Sequence, residues 1–271
     1  MKLIALLSCG APLLLGIDPQ EIVRRSVELD QRNTQLASSY TYLQRRVVRE
    51  LDRSGKVKSQ EVETWEVTLL EESPYRRLVA RNDRPLSPQE QQREEEKLRR
   101  SMEERRHESI EQHERRLAEW HKRQEKQREP IKDLPQAFSF QLTGEENLDG
   151  RPVYVIDAMP RPGYQPKSTS TSFFPKIKLR LWIDRTDFQG AKIEMESLDT
   201  ISLGAVLVRL SKGTRLVIEQ TRVNDEVWLP KKVSLAASAR VFVVKGLNRE
   251  LEVTYSDYKK LPVGPRMIAA Q

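Results

Sequence analysis

Cysteine and histidine are scarce in this chain, and their scarcity excludes much of the chemistry that proteins perform. The sequence of 271 residues contains one cysteine, Cys9, and three histidines, His107, His113 and His121. If the segment around Cys9 is removed after export, the mature protein has no thiol for a disulfide, a nucleophile or a metal ligand. The histidines are six and eight residues apart, so they do not share a helical face as an i,i+4 zinc pair would. We therefore predict no metal site and no cofactor.

Catalytic motifs are missing as well. The sequence has no nucleophile elbow, no phosphate-binding loop and no dinucleotide fingerprint. Its carboxylate pairs lie beside turns or alternate with apolar strand residues, and we interpret them as structural; they are Glu145 with Glu146, Asp184 with Asp187, and Glu194 with Glu196. Acid–base catalysis usually needs a tuned histidine or carboxylate pair. We therefore predict that the protein is not an enzyme, and a hydrolase that uses Glu194 or Glu196 is our third hypothesis.

Long hydrophobic runs are limited to the first residues, MKLIALLSCGAPLLLG. Lys2 precedes an apolar run that is too short to span a bilayer and is interrupted by Gly10 and Pro12. We predict that residues 1–16 are a cleavable export signal and that the protein is periplasmic. An uncleaved anchor and a misplaced start codon are the alternatives. The tripeptide LLS before Cys9 resembles a lipoprotein signal, so Cys9 is either an incidental signal residue or an acylated anchor.

Charge is abundant, and much of it lies in one segment. Between residues 89 and 129 the chain has 12 lysines and arginines against 12 acidic residues. Pro88 and Pro130 bracket this stretch as helix breakers, so we predict that residues 88–129 form a charged helical insertion. A solvated arm, a partner-binding helix and a disordered segment are the alternatives. Its apolar stripe is too broken for a coiled coil; the stripe consists of Leu98, Met102, Ile110, Leu117 and Trp120.

The net charge of +7 does not indicate a nucleic-acid partner. Acidic residues are interleaved with basic ones along nearly the whole chain. We therefore predict no nucleic-acid binding, and the excess charge favours solubility or peripheral contact with an anionic membrane surface.

The rest of the chain has the two-residue period of β-strands. After a helix that begins at Asp18-Pro19 and ends near Asn33, apolar and polar residues alternate in about eleven short segments separated by turn residues. Three of these predicted strands, 226–229, 232–237 and 240–244, follow one another closely. Residues 17–271 are therefore predicted to form one mainly β domain, a barrel or a sandwich.

One face of the predicted sheet is apolar. Alternation at Leu179, Leu181 and Ile183 places three apolar side chains on the same side of one strand. The full set of candidate residues for a lipid-binding cavity is Trp65, Val67, Leu69, Phe138, Phe140, Leu179, Leu181, Ile183, Ile193, Leu216 and Ile218. A barrel of this size can be filled by side chains or can enclose a ligand, so both a packed core and an acyl-chain cavity are consistent with the pattern.

Four segments give the chain a family resemblance. They are GEENLDGRPVYVIDAMPRPGY, LRLWIDRTDFQGAKIEME, KGTRLVIEQTRVNDEVWLPKKV and the late TYSDYKKL. In this order, after an export signal and a helix, they resemble the LolA/LolB-like outer-membrane lipoprotein-sorting superfamily over residues 40–261, with the charged segment as an insertion. The resemblance implies an unclosed antiparallel β-barrel with helices plugging its mouth and a hydrophobic cavity for lipid chains. It assigns no individual site residue.

The resemblance and the apolar face together give two hypotheses for function. The first is a periplasmic carrier that binds lipid or lipoprotein acyl chains in the barrel. The second is an envelope-stress sensor or interaction protein, since relatives of this fold also bind protein partners. In that case a partner docks on the charged helix at residues 88–129.

Overall fold

The computed structural model describes residues 17–203, 208–241 and 245–261. The described chain forms three α-helices and one antiparallel sheet of thirteen strands, which confirms the predicted mainly β fold. The helices are α1 (Pro19–Ala37), α2 (Pro88–Arg106) and α3 (Ile110–Ala137). The strands are β1 (Tyr40–Leu51), β2 (Val57–Leu70), β3 (Ser73–Arg81), β4 (Arg84–Pro85), β5 (Phe138–Leu148), β6 (Arg151–Pro160), β7 (Ile177–Asp184), β8 (Gly190–Ser197), β9 (Ile201–Leu203), β10 (Val208–Leu210), β11 (Arg215–Val223), β12 (Val227–Val241) and β13 (Lys245–Lys260). The predicted export signal lies outside the described residues.

The sheet is open, as the resemblance implies. Eleven strands follow one another in the order β4-β3-β2-β1-β13-β12-β11-β8-β7-β6-β5, and β9 and β10 extend it beside β12. Within the described ranges no backbone ladder joins the edge strands β4 and β5. The segment that connects these two edges along the chain is α2–α3, the predicted charged insertion.

The insertion is helical, but its bounds differ from the prediction. It is two helices, and α3 continues through Pro130 and Pro135 to Ala137. The break falls earlier, between α2 and α3, where Ser109 caps α3 with a side chain that accepts from the backbone N–H of Gln112. Proline alone does not end a helix when tertiary contacts hold the following turn, and Ile131 and Leu134 after Pro130 line an apolar cavity against α1.

Two further elements differ in extent from the sequence prediction. The predicted helix after Asp18 is confirmed, with Asp18 as its N-cap, and it extends to Ala37. The predicted strands 226–229 and 232–237 are one strand, β12, which also includes 240 and 241; residues 242–244 of the third predicted strand lie outside the described residues. Pro230 does not interrupt β12, because it lies at a register shift in the pairing with β11.

The main core lies between the helices and one face of the sheet. We call this face of the sheet the inner face. Ile22 and Val23 of α1 are almost fully buried against apolar residues of β5 to β8. The face of α1 that points away from the sheet is charged, as expected for an amphipathic helix on a curved sheet. α1 and α3 therefore lie over the inner face.

Candidate functional site

The pairing register brings the predicted apolar wall together. Leu181 is paired with Ile193, and Ile193 with Ile218, so these residues share the inner face. Leu216 is paired with Met195 of the same face, and Phe138, Phe140, Leu179 and Ile183 belong to the core beneath α1. Trp65, Val67 and Leu69 lie on β2, where Val67 and Leu69 line a cleft described below.

The helices cover the inner face unevenly. Beneath α1 and α3 the predicted residues Leu181, Ile183 and Ile193 line a small cavity of about 60 Å³. Here most of the space is filled by Val23 and Val27 of α1 and by their neighbours. This part of the predicted wall is a packed core, and the open space lies elsewhere.

A larger cleft of about 290 Å³ lies between the end of α1, the middle of α3 and strands β1, β2 and β12. Among the residues that the structure describes, its lining is largely aromatic and aliphatic and includes no charged side chain. The residues are Asn33, Thr34, Ala37, Ser38, Tyr40, Tyr42, Val67, Thr68, Leu69, Pro74, Trp120, Gln124, Gln220, Trp228, Leu229, Pro230 and Tyr258. Sequence reasoning found Val67 and Leu69 and missed the aromatic residues.

The tyrosines of the cleft are held by contacts with one another and with the strand ends. The ring centroid of Tyr42 lies 5.5 Å from that of Tyr258 and 5.7 Å from that of Tyr255. The Tyr40 hydroxyl donates to Glu226 at 2.6 Å and accepts from the Asn224 amide at 2.8 Å. Burial raises the pKa of Tyr42 and Tyr258 above the ordinary tyrosine value, so both rings are neutral at physiological pH.

The inner face becomes polar beyond the cleft. One cross-strand row runs from Ile193 through Ile218, Val233 and Val253 to Arg46 and Glu63. In this polar part Arg46 pairs with Glu63 at 2.7 Å. Arg76 donates to the Gln44 amide at 2.8 Å and lies 5.0 Å above the ring of Trp65. Trp65, predicted as a wall residue, is thus half-buried beneath a guanidinium.

Several polar contacts help to hold α1 over the inner face. The Asn33 amide donates to the carbonyl of Trp228 at 2.8 Å and accepts from its N–H at 2.7 Å, as a neighbouring strand would. Asp30 of α1 accepts from Arg128 of α3 at 2.9 Å. Asn33 also lines the cleft, so this attachment of α1 lies at the cleft wall.

The junction of α2 and α3 is fastened to the β2–β3 turn. Arg105 donates to the carbonyl oxygens of Leu70 and Ser73, and Arg116 donates to the carbonyl oxygen of Glu71 at 3.0 Å. Both guanidiniums also contact the buried hydroxyl of Ser73. The insertion is therefore anchored to the sheet by its charged residues, whereas Met102 and Ile110 of the predicted apolar stripe point to solvent.

The carboxylate pairs have structural partners. Asp184 and Asp187 accept from Arg151, Glu145 pairs with Arg185, and Glu146 accepts from the Trp182 indole. Glu194 and Glu196 pair with lysines of the same sheet. Over the described part of the chain, His, Cys, Asp and Glu residues form no group of three that could hold a metal ion. None of the described helices is long and apolar enough to cross a membrane.

Comparisons with known proteins give structural similarity alone. No family model matches the chain, and no curated protein matches it. An outer membrane lipoprotein-sorting protein domain from Vibrio parahaemolyticus is similar in structure, with 10% identity, a TM-score of 0.36 and coverage of 90% of this chain and 95% of that one. A LolA superfamily protein from Nitrosomonas europaea is similar with 12% identity, a TM-score of 0.32 and coverage of 92% of this chain and 96% of that one.

A chain of the Pseudomonas aeruginosa MucA/MucB complex is also similar, with 10% identity, a TM-score of 0.27 and coverage of 88% of this chain and 94% of that one. The resemblance predicted from the sequence agrees with these similarities, which concern the fold alone at sequence identities of 10–12%.

Proposed function

We propose that the protein is an exported envelope protein that binds an acyl chain of a lipid or lipoprotein in the cleft beneath α1 and α3. The observation that carries this proposal is the aromatic and uncharged lining of that cleft. Ligand sites for apolar molecules combine such a lining with a few polar groups that fix orientation, and here Gln124 and Gln220 supply amides at the wall.

The energetics of the hydrophobic effect are sufficient for such binding. Each methylene transferred from water contributes about 0.8 kcal/mol, so a chain that buries twelve methylenes gains roughly 10 kcal/mol. Immobilising the ligand costs at least about 4 kcal/mol, which leaves a Kd on the order of tens of micromolar. Release then requires the contacts of Asn33 and Asp30 to break as α1 moves.

Lipid analysis and a blocking variant test the proposal. We expect mass spectrometry of the purified full chain to find acyl lipids and a fluorescent fatty-acid probe to bind it. Ala37 lines the cleft, so Ala37→Trp should fill it and weaken probe binding at least about tenfold. Ala118→Trp, at an exposed position of α3, is the matched control and should bind normally. Absence of bound lipid together with no probe binding to the unmodified chain would refute the proposal.

A second candidate function is docking of an envelope protein on α2–α3. The specific observation is an apolar pair at the junction of these helices, where Ile110 is 79% exposed and Met102 is 39% exposed. Deleting residues 89–129 would not isolate this role, because Trp120 lines the cleft and Arg116 anchors the β2–β3 turn. Ile110→Asp is the sharper variant: loss of cross-linking to an envelope partner with unchanged probe binding supports docking, and unchanged cross-linking contradicts it.

A further inference from the structure

Arg76 is an exposed cation placed beside the apolar cleft. Tyr42 is paired with Val67, and Val67 with Arg76, so the three residues share one cross-strand row of the inner face. Tyr42 and Val67 line the cleft. The Arg76 side chain therefore begins where the apolar lining ends. No carboxylate of the described chain lies within ion-pairing distance of its guanidinium; its polar contact is the neutral Gln44 amide.

We propose that Arg76 binds the anionic head group of an acyl ligand whose chain occupies the cleft. The ligand class is thus an anionic amphiphile with carboxylate or phosphate oxygens at one end, and this inference rests on the proposed acyl-binding function. A guanidinium presents planar, forked N–H donors that suit both head groups. Stacking on Trp65 at 5.0 Å and the contact with Gln44 hold that fork in place.

The surroundings of Arg76 favour an anion. Glu63, a carboxylate of the same face, pairs with the Arg46 guanidinium at 2.7 Å and accepts from the Trp65 indole N–H at 3.3 Å. The Tyr255 hydroxyl lies 3.4 Å from the Gln44 amide, so it offers a second donor close to the guanidinium. A head group at this point meets donors and positive charge, and the chain behind it meets Tyr42 and Val67.

Matched amphiphiles and matched arginine variants test the inference with the full chain. Tetradecanoate, tetradecyl phosphate and tetradecanol have the same chain and differ in the head group, and isothermal titration calorimetry gives their Kd values. We expect both anions to bind more tightly than the alcohol, and Arg76→Gln to weaken the anions about tenfold while leaving the alcohol unchanged. Arg76→Lys should restore part of the affinity. A difference between the two anions identifies the preferred head group.

The control is Arg77→Gln on the same strand. This substitution makes the same change of charge as Arg76→Gln. The Arg77 side chain, however, lies on the opposite face of the sheet, where it pairs with Glu66 at 2.6 Å. Equal effects of Arg76→Gln and Arg77→Gln, or equal binding of tetradecanoate and tetradecanol to the unmodified chain, would overturn the head-group site while leaving acyl binding intact. If none of the amphiphiles binds, the proposed function fails as well. Thermal unfolding of each variant establishes that it is folded.

Discussion

Two glutamates of the β2–β3 turn are held in a conformation that glutamate disfavours. Glu71 and Glu72 have φ angles of 43° and 64°. Two-residue turns with two left-handed residues favour Asn-Gly, because a Cβ makes positive φ costly. The Glu71 carbonyl oxygen accepts from Arg116, and the Glu72 carboxylate lies 3.2 Å from Nε2 of His113. Contacts from α3 therefore hold this turn against its local preference.

Replacing Glu72 with glycine should relieve the strain. We predict that Glu72→Gly raises the free energy of unfolding by about 1 kcal/mol, since glycine adopts the left-handed region without cost. Urea denaturation measures the change. Glu61→Gly is the control, because Glu61 is exposed in the extended strand β2; there glycine should lower the stability by roughly 0.5–1 kcal/mol. A loss of stability in both variants would contradict the prediction and show that the contact of Glu72 with His113 outweighs the strain of the turn.

Asp184 is a fully buried carboxylate. Its contribution to the free energy of unfolding of the protein depends on pH. It accepts from Arg151 at 2.6 and 3.0 Å and from the backbone N–H groups of Thr186 and Asp187. Burial opposes ionisation, but these donors outweigh it and hold the pKa of Asp184 below its ordinary value. Since the folded pKa lies below the unfolded one, the contribution is complete above about pH 4 and is lost as the pH falls through the folded pKa.

We predict that Asp184→Asn lowers the free energy of unfolding by about 3 kcal/mol at pH 7, because Arg151 loses its buried partner. The difference from the unmodified protein should shrink at pH 3, which lies below the ordinary pKa of aspartate, because the unfolded state then binds a proton that folded Asp184 resists. Asp157→Asn is the control: Asp157 pairs with Arg180 at 2.6 Å on the outer face, where ion pairs contribute at most about 1 kcal/mol. Denaturant unfolding at both pH values measures these changes, and a pH-independent effect of Asp184→Asn would contradict the prediction.

The tyrosines of the cleft show what alternation along a strand does not reveal. Tyr255 and Tyr258 are three residues apart, so a regular strand would place them on opposite faces. Asp257 between them has a left-handed φ of 53°, at a register shift opposite Thr41 and Leu43. This bulge brings both rings to Tyr42. Leu179 and Leu181 of β7 were predictable because the pairing of β7 with β8 is regular at these residues.

At the scale of elements, α1 is held over the inner face by buried apolar residues and by several polar contacts. The Asn33 amide forms two hydrogen bonds with the backbone of Trp228, as a neighbouring strand would. We predict that Asn33→Ala increases backbone hydrogen exchange of residues 19–37 about tenfold without changing exchange in β6 and β7, because the loss of two hydrogen bonds frees the helix locally. Gln31→Ala, at an exposed position of α1, is the control. Equal exchange in the two variants would mean that apolar packing alone holds α1.

The helical insertion shows where sequence reasoning about elements ends. Its composition and its start at Pro88 predicted helix, and α2 begins there. The end at Pro130 was wrong because the second half of α3 is stabilised by α1, a contact between residues about a hundred positions apart, such as Asp30 with Arg128. Likewise, Glu94 and Arg105 of α2 form hydrogen bonds to β3 and to the β2–β3 turn, and a search for apolar stripes does not find such contacts.

At the scale of the whole molecule, α2–α3 links the two free edges of an open sheet across the mouth of the cleft. Arg116 and Trp120 are one helical turn apart and lie on the same face of α3. Arg116 donates hydrogen bonds to Glu71 and Ser73 at the β2–β3 turn, and Trp120 lines the cleft. The anchor on the β2–β3 turn and the helical wall of the cleft are therefore one turn apart on α3.

We predict that Arg116→Ala weakens the binding of tetradecanol about fivefold, because the position of Trp120 over the cleft depends on the anchor one turn before it. A neutral ligand is chosen so that the loss of positive charge has no direct effect on binding. Arg115→Ala is the matched control, since Arg115 is exposed and pairs within the helix with Glu111 at 2.9 Å. Calorimetry measures both Kd values. If the two variants bind tetradecanol equally well, the clamp on the β2–β3 turn and the cleft are independent, and the insertion braces the open sheet without controlling access to its interior.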